Sequence, residues 1–169
     1  ILNDPFRGGT HLPDLTLVAP VFLEEIKLVG FVANRAHHAD VGGIASGSMP
    51  IARELYQEGL IIPPLKLMKM GVLNQEVFDL ILANVRTPQE RAGDLWAQIA
   101  ANQRGVQRLI ETIDHFGQVL TFEYMDELLN YTERMTRALL ARIPDGTYRF
   151  TDYLDDDGVS DQPVPITVT

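Results

Sequence analysis

The sequence predicts a mixed α+β domain: N-terminal glycine-rich strands and loops, three helices of which two are long, and a C-terminal strand pair. Three observations carry this. Leu15–Val21 (LTLVAPV) and Ile26–Ala33 (IKLVGFVA) are apolar, β-branched runs bounded by turn residues. From Asn74 onward, apolar residues recur at three- and four-residue spacing. After Pro144-Asp145-Gly146, a strong turn signal, the pattern returns to alternation.

The elements follow in order. The two N-terminal runs are almost continuously apolar, which predicts strands buried on both faces. Pro13-Asp14 and the glycines after Asp40 read as loops. Glu54–Lys66 is ambiguous: a short helix can end at Gly59, followed by an extended Leu60–Leu67 holding Pro63-Pro64. Asn74 caps a helix carrying Val77, Phe78, Ile81, Leu82 and Val85. Thr87-Pro88-Gln89-Glu90 is a capping box with proline at the first helical position. Its helix carries an apolar stripe from Leu95 through Ile99, Val106, Leu109, Ile113 and Phe116 to Leu120, weakened at Gly105 by about 1 kcal/mol. Thr121 caps the last helix, with Met125, Leu128, Leu129, Met135, Leu139 and Ile143 as its stripe. Thr147–Leu154 and Val164–Val168 are strands, with the acidic loop Asp155–Asp157 between them.

Composition narrows the function classes. At 169 residues with no internal repeat or linker, residues 1–169 read as a single domain. The formal charge is −9 with no lysine/arginine block, so no nucleic-acid footprint is expected. The absence of cysteine removes disulfides, thiolate metal sites and a cysteine nucleophile, and fits a cytoplasmic protein. The longest apolar run, Leu15–Leu23, contains Pro20 and falls short of the roughly 20 residues a spanning helix needs, so no membrane is expected. The first residues do not resemble a signal peptide. The chain has no initiator methionine and opens inside a motif, so it is expected to be a piece of a longer protein.

The chemistry concentrates in two segments. Thr10–Asp14 (THLPD) and Arg35–Asp40 (RAHHAD) hold three of the four histidines, each segment with an aspartate three residues after a histidine: His11 with Asp14, His37 with Asp40. Imidazole plus carboxylate suits a divalent ion such as Zn²⁺ or Mn²⁺. Flanking glycines, Gly8-Gly9 and Gly42-Gly43, let backbone approach a bound group closely. The plainer reading is a surface turn with a capping aspartate. His37 and His38 are adjacent, so on a strand they face opposite ways and only one is expected at a shared ion. Asp40 is either a ligand or a carboxylate that orients an imidazole. Ser46-Gly47-Ser48 reads as a tight turn, without a P-loop or nucleophile-elbow pattern around it. Arg91, Asp94 and Gln98 read as a solvated helix face, His115 as a packing or surface residue, and Met68 and Met70 as core filler.

NDPFRGGTHLPDLTLVAPVF, GFVANRAHHADVGG, GSMP, EGLIIPPLKL, ERAGDLWAQIAAN and DYLDDDG, in that order, resemble the conserved core of the hydantoinase B family. These are B-type subunits of N-methylhydantoinases, the corresponding half of 5-oxoprolinases, and related subunits of acetone and acetophenone carboxylases. The resemblance covers nearly the whole chain and implies a fragment of a longer catalytic subunit. It implies an ATP-dependent amidohydrolase acting on cyclic amide C–N bonds, with ATP used by a hydantoinase A-type partner. By position it implies His11, Asp14 and His37 as metal ligands, with His38 outside the ligand set. Ser46 stands where relatives often have proline, which affects the shape of that loop.

The implied chemistry is coherent. Phosphorylation of the amide oxygen in the partner creates a leaving group, and metal-bound water at His11/Asp14/His37 attacks the carbonyl, its pKa lowered toward about 7. Asp40 is the expected general base, or orients a ligand histidine. In the carboxylase branch the substrate would be a ketone and the ion would stabilise an enolate. A third reading is a non-catalytic assembly module that binds an A-type partner, with structural histidines.

Overall fold

The structure is a computed structural model describing residues 1–169 except Glu25, Ser48, Met49, Gly158, Val159 and Asp161. The chain divides into two compact units, Ile1–Glu111 and Thr112–Thr169.

The first unit opens with strands β1 (Asp14–Leu23) and β2 (Lys27–His37), an antiparallel pair. Both are longer than the sequence predicts. They are not buried on both faces: β1 alternates between buried and accessible positions, and β2 has no fully buried residue. A two-stranded sheet with one covered face explains this. Leu2 bridges to Thr16, its N–H and carbonyl each bonded to the Thr16 backbone at 3.0 and 2.9 Å.

One helical turn, α1 (Leu55–Glu58), settles the ambiguous stretch and precedes Gly59, as the sequence allows. The hairpin β3 (Met68–Lys69) and β4 (Val72–Leu73) is not among the elements the sequence predicts. Met70 sits on its turn, fully exposed, so it is not core filler, whereas Met68 packs against the core. Helix α2 (Gln75–Ala83) follows Asn74 at its N-cap. Helix α3 (Pro88–Phe116) begins on the expected proline, and the Thr87 carbonyl accepts the Arg91 N–H at 3.0 Å. The unit's core joins Leu12, Leu15 and Leu17 to Ile62, Phe78, Ile81, Leu95 and Ile99. Asn3, fully buried, stitches three segments to it. Its Nδ2 donates to the Leu12 and Leu60 carbonyls at 2.8 and 2.9 Å, and its Oδ1 accepts the Ile62 N–H at 2.6 Å.

The second unit holds the end of α3, helix α4 (Gln118–Leu140), and the antiparallel pair β5 (Phe150–Leu154) and β6 (Val164–Val168). The fold is therefore α+β, with the expected N-terminal strands, which pair with each other, and the expected C-terminal strand pair. Among the described residues it has four helices, the single turn of α1 being the extra one. The break between α3 and α4 falls at Gly117, whose φ of 83° is a left-handed conformation that favours glycine. Leu120 thus belongs to α4, and Thr121 lies inside that helix with its Oγ1 bonded to the Gly117 carbonyl at 2.9 Å. No helix is long and apolar enough to cross a membrane among the described residues.

Candidate metal centre

The hairpin register places Asp14 directly across from His37. Side chains alternate along a strand, so a directly paired residue shares its partner's face. His11 arrives by a turn: the Asp14 N–H bonds to the His11 carbonyl at 3.0 Å, with Pro13 between them. The Asp14 carboxylate then stands between two imidazoles. Its Oδ2 lies 3.2 Å from His11 Nδ1 and its Oδ1 lies 3.1 Å from His37 Nδ1. Thr10 Oγ1 donates to Oδ2 at 3.2 Å. The two rings are tilted, with centroids 5.1 Å apart. One ligand atom from each of the three side chains lies within 4.8 Å of the other two.

This donor set fits a divalent ion. Tetrahedral bonds of about 2.1 Å put neighbouring donors roughly 3.4 Å apart, a little wider than the 3.1 and 3.2 Å spacings about Asp14. Two imidazoles and a carboxylate match Zn²⁺ or Mn²⁺ chemistry. The imidazoles are 45% and 47% exposed, so the cluster is open on one side, while Asp14 at 19% is held by the turn.

His38 points the other way, as strand alternation requires. It is 2% exposed, and its Nε2 lies 3.0 Å from Gln98 Oε1 on α3. Burial pushes the His38 imidazole below its ordinary pKa, against smaller opposing effects of the Gln98 bond and the Asp94 charge. Gln98 Nε2 donates to the Leu15 carbonyl at 2.9 Å and to Asn34 Oδ1 at 2.7 Å. Asn34 Nδ2 donates to the Gln98 carbonyl at 2.8 Å and to Asn102 Oδ1 at 2.9 Å. A polar network thus lies between the hairpin and α3, on the face opposite the histidine cluster.

Asp40 is not brought into the cluster. It is buried, and both oxygens are engaged. Oδ1 accepts Arg86 Nη1 at 2.8 Å and the Gly42 N–H at 3.1 Å, and Oδ2 accepts the Arg86 N–H at 2.5 Å. Arg86 also donates through Nη2 to the Gly43 carbonyl at 2.8 Å. A carboxylate held by these donors braces the loop after β2. Gly42 and Gly43 approach protein backbone instead of a ligand: an added Cβ would lie 2.6 Å from the Asn84 carbonyl oxygen and 2.5 Å from that of Gln57. Of the expected Ser46–Ser48 turn, Ser48 lies outside the described residues. His115 is exposed, in edge contact with Phe116 at 4.4 Å between centroids.

The expected solvated face of α3 is a correction. Asp94 is exposed, but Arg91 and Gln98 are buried. Arg91 pairs with Asp94 at 3.1 Å and with Glu90 at 3.4 Å. The signal was available: Arg91, Gln98 and Asn102 keep three- and four-residue phase with Leu95 and Ile99, so they share the buried stripe. Beside His37, an open groove of about 380 Å³ runs between β2 and α3. Ala36, Ala97 and Ala101 contribute its small side chains.

Known proteins resemble this chain in sequence and in fold. The putative B subunit of a D-/L-hydantoinase from Pseudomonas sp. strain NS671 is 39% identical over 173 residues, covering 99% of this chain and 29% of that protein. The crystal structure of the ATP-dependent caprolactamase from Pseudomonas jessenii superposes with a TM-score of 0.79 at 36% identity, over 90% of this chain and 26% of that one. A nucleotide-free acetone carboxylase shares the fold, with a TM-score of 0.81 at 24% identity over 90% of this chain and 20% of that one. The chain thus spans about a quarter of the length of the relatives it matches. Residues 1–169 match the family described as Hydantoinase B/oxoprolinase, and the chain belongs to that family.

Proposed function

We propose that this chain is the metal-holding part of an ATP-dependent cyclic amide hydrolase of the hydantoinase/5-oxoprolinase type. It would work in the cytoplasm with an A-type partner that uses the ATP. The observation that carries the reading is the His11–Asp14–His37 cluster, an open nitrogen/oxygen donor set on a rigid hairpin. The ring-amide substrate class draws on the names of the relatives: hydantoinase, caprolactamase and oxoprolinase. The acetone carboxylase likeness is one of fold, so the ketone branch has no separate support here.

His11, Asp14 and His37 would hold the ion, which when bound supplies Lewis acidity and lowers the pKa of a coordinated water. The two Asp14 oxygens lie within hydrogen-bond reach of the His11 and His37 Nδ1 atoms, contacts that an ion held by those same atoms would replace. ATP is needed because an amide is resonance-stabilised. Phosphoryl transfer to the amide oxygen in the partner makes that oxygen a leaving group. Water then adds to the carbon, the C–N bond breaks as the nitrogen takes a proton, and a second water releases phosphate from the acyl phosphate that remains, leaving the carboxylate. The expected base, Asp40, has both oxygens committed to Arg86 and Gly42, so its role here is to brace the loop after β2.

Elemental mass spectrometry on wild type, His11→Ala and His37→Ala tests the site, with ring opening assayed in the presence of the partner and ATP. About one equivalent of Zn or Mn is expected in wild type and is lost in both folded variants together with ring opening. A folded wild type that takes up no metal after reconstitution overturns the reading.

A further inference from the structure

Two of the proposed ligands, Asp14 and His37, are on one face of the β1–β2 hairpin and His11 is on the turn before it, and the contacts among them do not tie that face to the rest of the unit. The tie lies on the other face. Leu15 is the chain neighbour of Asp14, and His38 is the chain neighbour of His37. Gln98 of α3 bonds to both, through the Leu15 carbonyl at 2.9 Å and the His38 imidazole at 3.0 Å. One buried side chain therefore grips the residues adjacent to two candidate ligands, one on each strand. Alternation converts that grip into aim: with His38 fixed inward, His37 is fixed outward. The His38 N–H also donates to the Pro13 carbonyl at 2.8 Å, tying β2 to the turn that carries His11 and Asp14.

The hydrogen count fixes the direction of each bond. Both Gln98 amide hydrogens are spent, on the Leu15 carbonyl and Asn34 Oδ1, so Gln98 Oε1 can only accept. His38 must then carry its hydrogen on Nε2 and donate. Asn34 in turn spends both amide hydrogens, on the Gln98 carbonyl and Asn102 Oδ1. A buried amide network satisfied in this way has one arrangement, and removing a member leaves its partner unpaired.

We infer that Gln98 and His38 are positioning residues that set the separation of His37 from Asp14, and through it the affinity for the divalent ion. This rests on the metal reading above, although the grip on the hairpin does not. The test is Zn²⁺ and Mn²⁺ titration calorimetry on the purified chain. Gln98→Met keeps an unbranched chain and His38→Phe a planar ring, both without the bonds, and each is expected to weaken binding by about 10- to 100-fold. His38→Gln keeps an N–H donor at the same reach and is expected to stay within about threefold of wild type, a rescue that simple core filling would not produce. The double variant is expected to be no weaker than the worse single one, because the pair acts as a unit.

Proton NMR of the metal-free chain separates this from the metal reading. Contact between the His11 and His37 rings is expected in wild type and His38→Gln and is lost in His38→Phe. A wild type that binds no metal but shows that pattern overturns the metal reading and leaves the positioning role standing. Rings that stay in contact in folded His38→Phe, or Gln98→Met that binds as wild type, overturn the positioning role. Should both bond-deleting variants fail to fold, the shorter His38→Asn replaces them. It cannot reach Gln98, and wild-type affinity in it likewise overturns the inference.

Discussion

The two units use amphipathic helices in opposite ways. In Ile1–Glu111, α3 turns its stripe inward, so that Leu95 and Ile99 are buried with Leu12, Leu15 and Phe78. In Thr112–Thr169, only Ile113 and Thr121 are buried among the described residues. The stripe on α4, from Met125 through Leu128 and Leu129 to Met135 and Leu139, is exposed. Phe116, Leu120, Tyr124, Met125 and Leu128 even line an apolar groove. Contiguous apolar surface of this kind is uncommon on a monomeric soluble protein. The lesson is that equal periodicity does not make equal elements. The first unit has a core that can hold side chains to a fixed geometry, and all three proposed ligands stand on it.

The sharpest way to break that contrast is one truncation in each unit, followed by denaturant unfolding. Leu95→Ala removes a fully buried side chain from the first core and is expected to cost about 2–5 kcal/mol. Leu128→Ala, at 61% exposure, is expected to stay within about 0.5 kcal/mol of wild type. Equal losses would mean that α4 is buried in solution and would end the distinction between the units.

Within the first unit, the next contrast is between two aspartates that the sequence presents as equivalents. Asp14 and Asp40 each follow a histidine by three residues. Asp14 touches two imidazoles, whereas Asp40 is buried against Arg86 and the Gly42 N–H. Asp40→Ala strands those donors and is expected to cost about 1–3 kcal/mol, read from the unfolding midpoint. Metal content, measured on the same folded sample, is expected to remain at the wild-type level. Loss of metal without loss of stability would return Asp40 to the site.

That pair also marks how far the sequence could be read. Periodicity located the helices, and the α+β order followed from it. Alternation separated His37 from His38 before any coordinates, because opposite faces are a property of every strand. The meeting of His11, Asp14 and His37 needs the register Asp14↔His37, which the spacing within each segment does not contain. Resemblance to the family pointed to that set; the hairpin supplies its physical reason. The partner of Asp40 was out of reach for the same cause: Arg86 lies 46 residues away, joined only by tertiary structure. Burial of Arg91 and Gln98 was legible in phase with Leu95, but their polarity argued for solvent and masked it. On α4 the difficulty is the reverse. An apolar stripe is visible, while whether anything covers it is not encoded in its spacing.

The finest comparison between the units uses one glycine from each. Gly117 ends α3 with φ of 83°, and an added Cβ there meets nothing within 4 Å. Space is free, so the cost of Gly117→Ala is conformational, about 1–3 kcal/mol for an L residue held at positive φ with an extended ψ of 149°. Gly105 is the reverse case. It is inside α3, where alanine is favoured over glycine by about 1 kcal/mol. Its added Cβ would lie 3.3 Å from Cγ1 and 3.4 Å from Cβ of Val32 on β2. Val32 is β-branched and stiff at χ1, so it yields little, and a crowded contact between these half-buried residues costs on the order of 1 kcal/mol. The two effects nearly cancel, and Gly105→Ala is expected to shift stability by less than about 0.5 kcal/mol. Pairing it with Val32→Ala isolates the contact: the double variant is expected to lose less than the sum of the two single changes, because the new methyl then has room. Plain additivity would mean that α3 and β2 do not press together at this point, and the grip of α3 on the hairpin would have to come from the Gln98 network alone.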